Sequence, residues 1–116
     1  MLPRASRLNT SGDFRSTIRG GVRAGRPTLV VHAAAVPDRD AVHVGFVVSK
    51  AVGNAVTRNR VKRRLRHLAA AQLPTTSRGV DLVVRALPPS AEAGADLAGD
   101  LASAWRKAVG RLGRPA

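Results

Sequence analysis

An α/β fold in the order helix, strands, helix, strand, helix is what this sequence predicts, and three patterns carry the prediction. Val42, Val44, Phe46 and Val48 alternate with smaller or polar residues, the period of a strand with one buried face. Val61, Leu65, Leu68 and Gln72 recur at spacings of four, three and four, with Ala69 beside them, which is the apolar stripe of a helix. Leu97, Leu101, Trp105, Ala108 and Leu112 repeat that spacing near the C-terminus. A chain of 116 residues normally builds one core, so one domain over 1–116 is expected. With two Phe, one Trp and no Tyr, that core must be made of Val, Leu and Ala, and a hydrophobic share of 44% argues against wholesale disorder.

Residues 1–10 are polar, basic and interrupted by Pro3, which suits an extended basic arm. Ser11 can cap a short helix over roughly 12–20, with Asp13 in its first turn and Arg19 in its last, where each complements the helix dipole. Phe14 and Ile18, four apart, share a face, and Gly20-Gly21 ends the helix. Val22–Ala24 suits a short edge strand before the Gly25-Arg26-Pro27 turn. Thr28–Val36 is apolar and β-branched at its front; Leu29, Val31 and Ala33 fall on one face, Val30, His32 and Ala34 on the other. Pro37–Asp40 forms a turn before the strand that begins at Ala41, and so short a link predicts an antiparallel hairpin between the two strands. A helix over about Ala55–Leu73 follows. Arg78-Gly79 turns the chain into a fourth strand, Val80–Ala86, which Pro88-Pro89 ends. Ser90 is the expected cap of the last helix, with Glu92 and Asp96 near its start and Arg106, Lys107 and Arg111 near its end; Gly113-Arg114-Pro115 closes the chain.

Composition narrows the function. The formal net charge is +13, a balance that favours a polyanion, nucleic acid above all. No Cys is present, which removes disulfides, thiolate metal sites and a cysteine nucleophile. No apolar run approaches the ~20 residues of a membrane span, and no signal-peptide core opens the chain, so a soluble cytoplasmic protein is expected. The seven acids are scattered at turns and helix starts, with no pair placed for acid–base or two-metal chemistry. Asp96 and Asp100, one helical turn apart, suit a solvated face better than a magnesium site. His32 and His43 would approach each other across the hairpin but lack a third ligand, so a polar strand face is the expectation there. Gly53 lacks the partner spacing of a phosphate-binding loop. No catalytic residue is expected in this chain, nor any metal ligand.

The strongest signal is Lys50–His67, KAVGNAVTRNRVKRRLRH. It holds seven basic residues and no carboxylate, inside a gap without Asp or Glu that runs from Asp40 to Asp81. Most charged helix faces are solvated and mixed in sign; this one has a single sign, and forgoing opposite-charge pairs costs tenths of a kcal/mol each, about 0.2–0.5. A polyanion ligand explains that loss. A membrane-surface helix would need a broad apolar face with aromatics, which the narrow Val/Leu/Ala stripe does not offer. Asn59, between Arg58 and Arg60, adds an amide donor and acceptor where charge alone would serve phosphates. Asn54 either takes a left-handed turn beside Gly53 or contributes to binding; the residues leave both open.

Ser49–Arg66 closely resembles the signature of the bacterial ribonuclease P protein subunit, S-K-x-x-G-x-A-V-x-R-N-R-x-K-R, without a gap. Arg7-Leu8 with Asp13-Phe14, the strand VGFVVSK and Asp81–Arg85 resemble that family as well, and the chain has the family's length. The resemblance implies a compact two-layer α/β sandwich, helix-strand-strand-strand-helix-strand-helix. It also implies a mixed sheet of about four strands and a left-handed crossover at the basic helix, an exception to the usual handedness. It implies the protein subunit of an endoribonuclease whose catalytic RNA performs the hydrolysis. That RNA would remove the 5′ leader of precursor tRNA using magnesium that it holds itself. The partners implied are the catalytic RNA and precursor tRNA, with no membrane and no further protein required. Carried over by position, Arg58, Asn59, Arg60, Lys62, Arg63 and Arg66 would contact the catalytic RNA, joined by Lys50 and Asn54. Phe14, Ile18, Val30 and His32 would line the leader cleft. Ile18 and His32 stand where the family usually has aromatics, so stacking, worth roughly 1–3 kcal/mol per base, would rest mainly on Phe14. A core-facing role for Phe14 and Ile18 is an equal expectation.

A ribosomal or general RNA-binding protein is the rival that composition alone does not exclude. A DNA-binding helix-turn-helix fits less well, because a strand and a Gly-Asn loop precede the basic helix.

Overall fold

The structure is a computed structural model and describes residues 6–8, 11–76 and 78–112. Its elements follow the predicted order: α1 (Ser11–Gly20), β1 (Val22–Gly25), β2 (Leu29–Ala35), β3 (Val42–Val47), α2 (Ala55–Gln72), β4 (Val80–Ala86) and α3 (Leu97–Leu112). Pro74 lies in a 3₁₀ turn, Leu73–Thr75, into which α2 tightens, as expected of a residue that cannot continue a helix. Of the N-terminal arm, Arg7 bridges to Val44 and the buried Leu8 donates its N–H to Val44 O at 2.9 Å; the rest of it, like Gly113-Arg114-Pro115 and the side chain of Ser11, lies outside the described residues.

The four strands form one mixed sheet in the order β1-β2-β4-β3. This corrects the hairpin expected between the second and third strands. Strand β4 lies between them, antiparallel to β2 through Ala33↔Leu82 and parallel to β3 through Val44↔Leu82. The Val36–Asp40 turn is a bridge over the start of β4, not a hairpin loop. Val36 N donates to Gly79 O at 2.6 Å, and Gly79 N donates to Asp40 O at 3.3 Å. Gly79 (φ 67°) fits there because a Cβ would stand 2.4 Å from Arg39 O and 2.5 Å from Val36 O. Alternation along β2 and β3 is the same whether they pair directly or through a third strand, so periodicity misses the insertion. The central position of β4 shows instead in its burial, with five consecutive buried residues from Val80 to Val84. His32 and His43 accordingly do not meet: each pairs with β4, opposite Val83 and Asp81.

One face of the sheet holds the core. Leu29, Val31 and Ala33, then Val44 and Phe46, then Val80, Leu82, Val84 and Ala86 pack against Val61, Leu65 and Ala69 of α2 and Leu97, Leu101, Ala104, Trp105 and Ala108 of α3. Helix α1 covers the opposite face, where the ring of Phe14 lies on Gly45. Close approach is again what demands glycine at position 21, where a Cβ would meet Ala33 O at 2.1 Å.

Polar contacts pin the layers together. Asp100 of α3 accepts from Thr28 Oγ1 at 2.7 Å and Thr28 N at 3.1 Å, tying the helix to the start of β2. Buried Trp105 donates from Nε1 to Thr76 Oγ1 at 2.8 Å. Ser90 does not cap α3, another correction. Pro88–Ala91 forms its own 3₁₀ turn, and α3 begins only at Leu97, where Asp96 Oδ1 accepts from Gly99 N at 3.0 Å. With Gly94 in the intervening loop, the chain reaches a second capping residue before it turns helical.

Candidate nucleic-acid interface

Helix α2 organises the candidate interface. Its start is set by Asn54, whose backbone is extended (φ −71°, ψ 176°) and whose Oδ1 accepts from Thr57 N at 2.9 Å. Asn54 is therefore the N-cap and not a left-handed turn residue; its exposed amide retains its own N–H donors. The cap places the first helical turn immediately after the Gly53 loop, and the apolar stripe Val61-Leu65-Ala69 then fixes the rotation of α2 on the sheet.

That rotation sorts the basic residues into three rows. Arg58, Lys62 and Arg66, four apart, run down the flank facing the β3 edge and are half-buried. Asn59, Arg63 and His67 stand exposed on the outer ridge, and Arg60 and Arg64 are exposed on the far flank. Lys50, also exposed, lies in the loop before the cap. Among the described residues no α2 side chain forms an ion pair; Arg39 pairs with Asp81, with His43 Nδ1 3.8 Å from the same carboxylate, away from α2. The guanidinium and ammonium groups of the helix thus keep their donors for an external anion.

Three concavities follow this surface, and Lys62 lines all of them. Val48, Ala55, Arg58, Asn59 and Lys62 surround about 180 Å³ near the helix start. Asn59, Lys62, Arg63, Arg66 and His67 border about 510 Å³ along the ridge. A third, of about 210 Å³, joins Lys62 and Arg66 to Phe14, Gly45, Phe46, Arg7 and Leu8. The basic flank and Phe14 therefore meet at the edge of β3.

The other residues predicted for the leader cleft sit on the same side of the sheet as Phe14 with different exposure. Ile18 is exposed, at 37%; Val30 and His32 are buried, at 5% and 4%, on β2, which β4 separates from the β3 edge, and none of the three lines the concavity that Phe14 shares with Lys62 and Arg66. Neither ring nitrogen of His32 has a hydrogen-bond partner. Burial, with the positive charges of Arg85 and Arg23 nearby, lowers the pKa of His32 below 6.5, so the ring is held neutral. Phe14 is half-buried, its ring fitted over Gly45 with one side on the concavity.

Sequence reasoning passed over Asp81, a buried carboxylate paired with Arg39 on the α1 face of the sheet. The signal for it is an acid directly before the apolar run Leu82-Val83-Val84 of a strand. It also passed over Gly45, whose missing side chain seats Phe14. Among the described residues no three His, Cys, Asp or Glu side chains converge as a metal site. None of the described helices is long and apolar enough to cross a membrane.

Comparisons with known proteins agree with this architecture. Residues 2–109 match the family described as Ribonuclease P. The chain is 54% identical to the ribonuclease P protein component of Kocuria rhizophila, over 96% of this chain and 98% of that one. It is 50% identical to the component of Pseudarthrobacter chlorophenolicus, over 99% and 86%. The RNase P protein of Staphylococcus aureus superposes with a TM-score of 0.80 at 25% identity, over 90% of this chain and 96% of that one. The basic helix, the sheet order around it and these matches along nearly the whole chain lead to one conclusion: this chain belongs to the ribonuclease P protein family and is the protein component of that ribonucleoprotein.

Proposed function

We propose that this chain binds the catalytic RNA of ribonuclease P through α2 and holds the 5′ leader of precursor tRNA along the β3 edge. On this reading it assists, in the cytoplasm, an endonucleolytic cut made by the RNA. Arg58, Asn59, Arg60, Lys62, Arg63 and Arg66, with Lys50 and Asn54 at the helix start, form the RNA-docking face. Phe14 offers its ring to a leader base, Ile18 extends that surface along α1, and Val30 and His32 continue the same sheet face on β2.

The observation that carries this reading is the concavity shared by Phe14, Lys62 and Arg66. It sets an aromatic face beside two cations, the pairing a single-stranded nucleotide needs for its base and its phosphate. The basic rows neutralise phosphates that would otherwise repel as two RNAs approach, which lowers the magnesium needed for assembly. Magnesium would be held mainly by the catalytic RNA. His32, neutral and desolvated, presents hydrogen-bonding nitrogens without adding charge to that sheet face.

Reconstitution with the cognate RNA tests the proposal. The protein alone should cleave nothing, yet should restore cleavage of precursor tRNA at low magnesium. Arg58→Gln should weaken association with the catalytic RNA and reduce the slope of log affinity against log salt by about 0.7–0.9, the share of one phosphate. Phe14→Leu should instead narrow the preference for precursor over mature tRNA. Cleavage by the protein without RNA would falsify the division of labour; identical defects in the two variants would sink the assignment of two surfaces.

A further inference from the structure

On the far flank of α2, away from Phe14, a concavity of about 270 Å³ opens between the helix and the Ser90–Leu97 segment, with Arg60 and Arg64 on one side and Ser90 and Glu92 on the other. We propose that it is a second phosphate site, taking one phosphodiester of the catalytic RNA backbone between the Arg60 and Arg64 guanidinium groups, with the Ser90 hydroxyl as a further donor. The proposal rests on the reading of α2 as the RNA-docking face, and it extends that face from the signature's Arg60 to Arg64 and Ser90, which the signature does not assign.

Three observations converge on it. Arg60 and Arg64 are one helical turn apart, so their like charges repel, and no ion pair with either is recorded among the described residues. Ser90 is 4% exposed and its buried Oγ has no hydrogen-bond partner, an arrangement that is costly unless a ligand completes it. Proteins rarely bury a hydroxyl without using it, and Ser90 does not cap α3. The size suits a small polar group: the volume lies just below the range of pockets for drug-sized ligands, which begins near ~300 Å³.

Charge selects the kind of phosphate. Two arginines against the exposed Glu92 leave a single net positive charge at the mouth, which matches a singly charged phosphodiester better than a doubly charged terminal phosphate. Geometry selects the source. Arg60 also borders the outer ridge of Asn59 and Arg63, so an RNA strand lying on that ridge reaches this pocket without leaving the helix. The leader-facing concavity lies on the opposite flank.

The pair Arg64→Gln and Ser90→Ala tests this, with association to the cognate catalytic RNA measured over a salt series. Arg64→Gln should weaken association roughly three- to tenfold and lower the salt slope by about 0.7–0.9. Ser90→Ala should weaken it severalfold while the slope stays put, because a hydroxyl displaces no counterion. The double variant should be less impaired than the product of the singles, since both groups act on one phosphate. Ser90→Ala should melt no lower than the parent, because it removes a buried donor that has no partner in the free protein. Arg58→Gln serves as the control. If it weakens association while Arg64→Gln and Ser90→Ala do not, the second site is wrong and the docking face stands. If Arg58→Gln is also silent, the docking face itself fails. A defect that shows only as lost preference for precursor tRNA at saturating catalytic RNA would assign the pocket to the substrate and overturn the proposal, as would a lowered melting point for Ser90→Ala.

Discussion

Replacing Gly45 by Ala perturbs the candidate leader surface without substituting a charged or aromatic residue. A Cβ at position 45 would lie 2.2 Å from Phe14 Cζ and 2.4 Å from Cε1, whereas ordinary contact begins near 3.4 Å. The ring must therefore retreat by at least 1.2 Å, the difference between those two distances. Overpacking of this kind costs about 1–3 kcal/mol. Phe14 is only half-buried and can tilt outward, which puts the cost toward the lower end. Stiffening of the unfolded chain by Gly→Ala returns about 0.4–1 kcal/mol. The net expectation is a loss of about 0.5–1.5 kcal/mol, a drop in melting temperature of roughly 2–8 °C for a domain of this size. Thermal unfolding of Gly45→Ala alone and in a Phe14→Ala background measures it. Without the ring the clash is gone, so the second comparison should change sign and show Gly45→Ala stabilising by about 0.4–1 kcal/mol. Displacing the ring should also reduce precursor-over-mature discrimination in the reconstituted enzyme, as is expected of Phe14→Leu. Equal effects of Gly45→Ala in both backgrounds would refute the seating of Phe14 on the sheet.

Three further outcomes follow from the packing. Gly79→Ala meets backbone oxygens instead of a movable ring, at a left-handed φ, and should cost about 3 kcal/mol or more, read as the loss of a folded transition at moderate urea. Asp100→Ala leaves the Thr28 N–H and hydroxyl without their acceptor and should destabilise by about 1–3 kcal/mol in urea unfolding, with Asp100→Asn milder because it keeps one carbonyl oxygen. His32 has a folded-state pKa below its unfolded value of about 6.5, so the unfolded chain binds the proton more readily and stability falls as pH drops from about 6.5 toward the depressed folded value. His32→Phe should flatten the pH dependence of unfolding in that window; an unchanged slope would place the acid sensitivity elsewhere.

Much of this molecule is legible in its residues because the relevant physics is local. Helix α2 follows from a stripe with helical period, the strands from alternation, and the docking face from a run of one charge sign that no carboxylate interrupts. What local physics does not carry is which strand lies beside which. Period-2 alternation is silent about neighbours, so β4 slipping between β2 and β3 was invisible, although the glycine that permits it, Gly79, stood in plain sight. Capping shows the same limit. Ser90 and Asp96 both suit an N-cap by chemistry, and only the 3₁₀ turn at Pro88–Ala91 decides for Asp96, leaving the Ser90 hydroxyl buried.

By itself, then, the sequence determined the element order, the apolar stripes, the polyanion-binding character of α2 and, through its signature, the family. Tertiary structure alone decided that Phe14, Lys62 and Arg66 share one concavity, that Val30 and His32 are buried two strands away from it on β2, and that Arg60 and Arg64 face a separate pocket. The reason is range. Charge and periodicity are set by neighbours a few residues away, whereas a site is set by segments that meet only when the sheet order and the rotation of α2 on its core are fixed.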